Sequence, residues 1–207
     1  MRSKLPMVGV LCTALCGCHS SEGVTSGSVA RSDVMAPSLY SEASSVMWDD
    51  YKTSTRFEAR LLTLTPKLVD APYDAPISRL MIKNLTTGKM IFQQEIDFRP
   101  LRMHPESLFE NTQALVTEWS GGTANGIMIF SVNPSGARLV LDEGYRVGVS
   151  FICSNSSNVD VFITSGCCGD GPFFTTRYVF DGHSYKPKGS MAYGDFVNIL
   201  SSGFATH

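Results

Sequence analysis

The sequence predicts a mainly β protein: an antiparallel meander of hairpins, forming an open twisted sheet, a sandwich or a partial propeller-like array, with a short C-terminal helix. Three observations carry this. From Arg56 onward apolar and polar residues alternate with a period of two, in runs rich in β-branched and aromatic side chains. Turn chemistry separates the runs at Thr87-Gly88, at Asn133-Pro134-Ser135-Gly136 and at Asp181-Gly182. No helical pattern sits between strands, which disfavours a parallel α/β sheet.

The chain has 207 residues, enough for one ordinary domain and a tail. It opens with Arg2 and Lys4, followed by the short apolar stretch Leu5 to Leu15. That stretch is far below the roughly 20 residues a membrane-spanning helix requires. A cationic start, a short apolar segment and small residues make a secretory signal. The segment ends in Leu15-Cys16-Gly17-Cys18. A metal cluster here would need ligands held on a folded scaffold, which a hydrophobic leader does not offer. The four residues resemble the bacterial lipobox, whose obligatory cysteine receives a diacylglycerol and becomes the acylated first residue of the mature chain. That resemblance makes Cys18 the lipidation site and residues 1–17 the signal. His19 follows where an aspartate would signal retention in the inner membrane, which implies an anchor in the outer membrane, facing the periplasm. Residues 18–47 hold nine serines and little that could form a core. They are expected to be a solvated tether with a coil dimension of about 30 Å, with a short helix over 41–51 as a variant.

Strands are expected at RFEARLLTLT (56–65), ISRLMIKN (77–84), KMIFQQEIDF (89–98), QALVTEW (113–119) and GIMIFSV (126–132). They continue at ARLVLDE (137–143), YRVGVSFI (145–152), VDVFITS (159–165), FTTRYVF (174–180) and SYKP (184–187). The strongest hairpins are 80–96, 127–141 and 174–187. The segment RPLRMHPES (99–107), where His104 neighbours Arg99 and Arg102, is expected to be an irregular loop. Helical spacing of Tyr193, Phe196, Val197, Leu200 and Phe204 predicts a helix within 190–204.

LVTEWSGG and a hairpin (115–141) are echoed about 45 residues on by DVFITSGC and a hairpin (160–187), a spacing in the range of a propeller blade. EWSGG (118–122) and RYVFDGHSYK (177–186) resemble the blades of VCBS/FG-GAP-type bacterial β-propellers. Those repeats carry alternating carboxylates for calcium, whereas GCCGDG (166–171) offers only Asp170. No metal or other cofactor is expected. At 160 residues, the segment 48–207 holds about three blades of 40–45 residues, too few for a closed ring.

Three cysteines remain beyond the leader, Cys153, Cys167 and Cys168. In an oxidising periplasm they should pair. Adjacent cysteines lie about 3.8 Å apart, closer than a relaxed disulfide allows, so Cys153 is expected to join Cys167 or Cys168. There is no Cys-x-x-Cys and no Gly-x-Ser-x-Gly elbow. Among acids and imidazoles, Glu118 beside Trp119 and His104 beside Arg102 are the candidates a hydrolase would need. His183 belongs to a turn, and Thr86-Thr87-Gly88-Lys89 to a hairpin. The candidate contact surface is instead made of loops with aromatics: Trp119, Gly121, Gly122, Asp170, Phe173 and Phe174.

Removal of residues 1–17 takes two cations and leaves 15 against 19 anions, a net charge of −4. With no Lys/Arg cluster, a nucleic-acid partner has no electrostatic footprint. The sequence thus predicts a lipid-anchored, non-catalytic binding module with a protein partner in the cell envelope. An inhibitor or immunity protein against a basic, lysozyme-like peptidoglycan hydrolase is the alternative, and a hydrolase the second.

Overall fold

The computed structural model describes residues 40–64, 78–109, 112–153, 158–166 and 172–201. They form twelve strands and one helix in three consecutive four-stranded antiparallel meanders. The first sheet runs β1 (Tyr40–Asp50), β2 (Thr55–Leu64), β3 (Ser78–Asn84) and β4 (Lys89–Ile96). The second runs β5 (Arg99–Phe109), β6 (Thr112–Ser120), β7 (Asn125–Asn133) and β8 (Gly136–Tyr145). The third runs β9 (Gly148–Cys153), β10 (Val159–Gly166), β11 (Phe173–Phe180) and β12 (Tyr185–Ala192), and α1 (Tyr193–Ser201) follows. Strands are neighbours in sheet order as in chain order, the pattern of a propeller blade.

The sheets stack, with the second in the middle. Leu115, Trp119, Met128, Phe130 and Val132 on one of its faces join Phe57, Leu61, Leu80 and Ile82 of the first sheet in one core. Ala114, Val116, Ile127 and Ile129 on the other face join Val159, Val161, Ile163 and Tyr178 of the third sheet in a second core. Burial on both faces explains why GIMIFSV is a nearly continuous apolar run while β3 alternates strictly. The outer face of the first sheet is a solvated charge ladder, with Arg79–Glu95 at 2.8 Å and Arg60–Glu58 at 2.8 Å. The outer face of the third sheet is covered by α1, whose Phe196 stacks on Phe162 with ring centroids 5.1 Å apart. Neither hydrophobic cluster of the described residues joins the first sheet to the third. The array is open, so the meander and partial-propeller forms of the expectation apply and no barrel closes.

All three hairpins expected as strongest form, and each is the third-to-fourth pair of its sheet. Gly88 and Gly182 take left-handed φ values of 74° and 92°, which only glycine adopts without strain. The echo also holds at the level of elements, since β6 and β10 are both second strands. Yet Val116 and Val161, 45 positions apart, enter the same core from facing sheets. A one-residue slip changes the face of a strand, so the echo marks equivalent strands and not equivalent positions.

Three expectations are corrected. Residues 40–47, taken as tether, belong to β1, and the helix over 41–51 is that strand, pairing from Tyr40↔Leu64 to Asp50↔Thr55. The loop expected at 99–107 belongs to the edge strand β5, where Pro100 and Pro105 are tolerated because an edge leaves one side of the ladder unpaired. The helix expected within 190–204 forms as Tyr193–Ser201, after Ser190–Ala192 end the edge strand β12. Pro187 fits in β12 for the same reason as in β5. The signal, Cys18, most of the tether, Cys167, Cys168, Asp170 and Phe204 lie outside the described residues. No helix among the described residues is long and apolar enough to cross a membrane.

Candidate functional site

Two rows of residues on the second sheet build a cleft. Cross-strand pairing sets Trp119, Gly126 and Gly144 side by side over β6, β7 and β8. The next row on the same face is Thr117, Met128 and Asp142. Trp119 is fully enclosed, its indole N–H donating to Thr117 Oγ1 at 2.8 Å, and that hydroxyl donates to the Met128 carbonyl at 3.2 Å. Beside this rigid floor the two glycines carry no side chain. A Cβ on Gly126 would come no closer than 3.8 Å to any atom, the nearest being the Glu143 carbonyl oxygen. One on Gly144 would come within 3.8 Å of the Asn125 carbonyl oxygen and nothing nearer. The space belongs to a cleft of about 260 Å³.

The walls come from two turns. Gly121 donates its N–H to the Ala124 carbonyl at 2.8 Å, and Gly122 turns the chain at φ 84°. Phe98, on the two-residue link from β4 to β5, lies against Gly121 and is half-exposed. Its carbonyl accepts the Ser78 hydroxyl at 2.7 Å, which ties the link to the first sheet.

The ionisable residues lining the cleft are Asp142 and Glu143. Glu143 sits in the opposite-facing row with Ile127 and Glu118, and its carboxylate takes a hydrogen bond from Tyr178. Burial, together with that charged acceptor, pushes the Tyr178 hydroxyl up to about 12. Asp142 is the acid left for the cleft. Burial holds its carboxyl above the ordinary range, and no ion pair among the described residues includes it.

The expected contact residues divide. Gly121 lines the cleft and Gly122 forms its exposed turn. Trp119 is corrected: it is floor and core, not surface, because the alternation that brings Leu115 inward brings Trp119 inward too. Phe173 and Phe174 are 38% and 49% exposed at the start of β11, with the Phe173 ring lying across Gly166. The pairs β6–β7 and β10–β11 are both the second-to-third pair of their sheets, as the echo implied. Cys153 ends β9 and is the one cysteine among the described residues.

The acid and imidazole candidates are engaged within the fold. Glu118 keeps only 10% side-chain exposure. It accepts Arg102 Nε at 2.5 Å on one oxygen and the Tyr145 hydroxyl at 2.5 Å on the other. Asp160, which sequence patterning did not flag, is held in the same way by Arg177 Nε at 2.7 Å. His104 lies on β5, not in a loop, 3.5 Å from Glu106. Burial, then the Arg102 charge, holds its imidazole below the ordinary range, so it is neutral at physiological pH. His183 is exposed in its turn, where the His183 and Ser184 N–H groups both donate to Asp181 at 2.8 Å. Thr86 accepts the Arg56 N–H at 3.0 Å as part of the hairpin. No group of three metal-ligating side chains occurs among the described residues.

Asp142, Gly126 and Gly144 were missed by sequence reading. The available signal was the isolated glycine in each of two paired strands, which marks close approach by another group. The chain matches no protein-family model, no curated protein and no solved structure.

Proposed function

We propose that this protein is a lipid-anchored module of the bacterial envelope that works by binding a protein partner and not by catalysis. The anchor reading rests on Leu15-Cys16-Gly17-Cys18 and on the cationic leader before it. One acyl chain binds a bilayer only marginally, at about 0.8 kcal/mol per methylene, so stable anchoring takes more than one. The diacylated, N-acylated cysteine meets that requirement. The Ser-rich segment up to residue 39 then holds the sheets clear of the headgroups.

The observation that carries the binding reading is the cleft over Gly126 and Gly144. It is a concavity on rigid strands, with an apolar floor and one unpaired carboxylate, the usual composition of a recognition site. Glu118, the acid that hydrolysis would need, is instead tied to Arg102 and Tyr145 within the fold. A second reading, an inhibitor of a basic peptidoglycan hydrolase, is favoured by the acidic cleft and by the mature charge of −4, which would speed encounter with a cationic surface.

Two experiments test this function. Cys18→Ser should abolish fatty-acid labelling and leave unprocessed precursor; normal labelling would exclude Cys18 as the anchor. Titration of lysozyme-type hydrolases should show turnover falling at stoichiometric protein. Unchanged turnover across several hydrolase types would remove the inhibitor reading and leave the binding module.

A further inference from the structure

We infer that the cleft between the β6–β7 turn and the end of β8 receives a basic side chain, a lysine or arginine of the protein partner. The inference rests on the binding reading and gives its recognition chemistry. Basic side chains are amphipathic, with an aliphatic stem that seeks apolar cover and a cationic head that seeks acceptors. The cleft offers both in one line. The strand faces left bare by Gly126 and Gly144 form the track, with the buried Met128 beneath its edge. Phe98 stands at the wall, where an aromatic face attracts a cation. Asp142 ends the track on the same face as Met128.

Charge fixes the class of occupant. An acidic or phosphorylated group would meet the Asp142 carboxylate without a compensating cation, since no Lys, Arg or His lines the cleft. A neutral apolar group would fill the track but leave the exposed Asp142 carboxylate without an ion pair, as it is in the free protein. A cation would pair with it on arrival.

The glycines are the second line of argument. Glycine in a strand interior costs stability through chain entropy and lost packing. Neither Gly126 nor Gly144 takes a left-handed φ, and neither would clash as alanine. The backbone does not require them. What their absence of side chain provides is the cleft.

The test is a titration of the full chain, followed through the backbone amide resonances of Gly121, Gly126 and Gly144. The probes are Nα-acetyl-lysine methylamide, its arginine counterpart and the uncharged norleucine counterpart. Both cations should give saturable shifts at these glycines and bind several-fold more tightly than norleucine. Asp142→Asn should weaken the cations about fivefold, the size of one partly exposed ion pair, and leave norleucine unchanged. Gly144→Val should abolish all three titrations by filling the track, with circular dichroism showing the strands intact. Equal affinity for norleucine, the absence of saturable shifts, or indifference to Asp142→Asn would each overturn the inference. Failure of the underlying function looks different: the cleft titrates as described, but the wild-type chain retains no envelope protein. A partner retained equally by wild type, Asp142→Asn and Gly144→Val would keep the function and reject this site.

Discussion

Asp142, an exposed carboxylate at the cleft with no ion pair among the described residues, is the first feature to test. Burial holds the Asp142 carboxyl above its ordinary range, so the folded chain binds that proton more readily than the unfolded chain. The folded state therefore gains stability below the unfolded value and loses that gain as pH rises through the raised one. Asp142→Asn should raise the thermal midpoint at neutral pH and leave it nearly unchanged below the ordinary carboxylate range. A lower midpoint at neutral pH would mean that the acid stabilises the fold. Asp181 has the opposite sign. The N–H groups of Ser184 and His183 hold its carboxyl below the ordinary range, so its contribution is present above the unfolded value and disappears as pH falls through the depressed one. Glu118 and Arg102 should respond unequally. Arg102→Met strands a carboxylate buried to 10% exposure, at about 1–3 kcal/mol. Glu118→Gln leaves a guanidinium that is 62% exposed and already in water, so its cost should be the smaller of the two in denaturant unfolding.

At the scale of elements, legibility followed the pattern of burial. Strands with one wet face, such as β3, show the period-two signal directly, and glycines in required left-handed turns marked the hairpins. The two strands that were missed, β1 and β5, are edges. An edge strand tolerates serine, proline and charge because one side of its ladder is unpaired, and those are the residues that argue against a strand in a one-dimensional reading. The site was only partly legible for a related reason. Gly121 and Gly122 announce a turn, but the row Trp119, Gly126, Gly144 exists only after three strands pair, and no local window contains it. Trp119 drew notice as an aromatic beside a glycine pair, a pattern that fits a surface and a core equally. Its burial was decided by the sheet that packs on it. The helix makes its own prediction. Phe196 is the one buried residue of α1, so Phe196→Ala should undock the helix at about 3 kcal/mol. Faster amide exchange in α1, with β6 and β7 unchanged, would check this; exchange rising across the whole chain would assign α1 to the global core.

At the scale of the whole molecule, the stack makes the middle sheet the stiffest layer. Both of its faces are covered, whereas the first sheet turns a charge ladder to water and the third is closed by a single short helix. Amide exchange should therefore be slowest in β6 and β7, the interior strands of the sheet that is covered on both faces. The cleft is built on these strands, so its geometry is set before a partner arrives, which lowers the ordering cost of binding. On the proposed function, a lipid anchor, a Ser-rich segment and an acidic cleft would together hold a basic protein near the cell wall. The most direct measurement is a retention assay from envelope extract at low and high salt, with the full wild-type chain beside Gly144→Val. A basic protein should be held at stoichiometric amounts by the wild type, released by salt, and lost from the variant whose cleft is filled. The same proteins retained by both chains, or none by either, would contradict it.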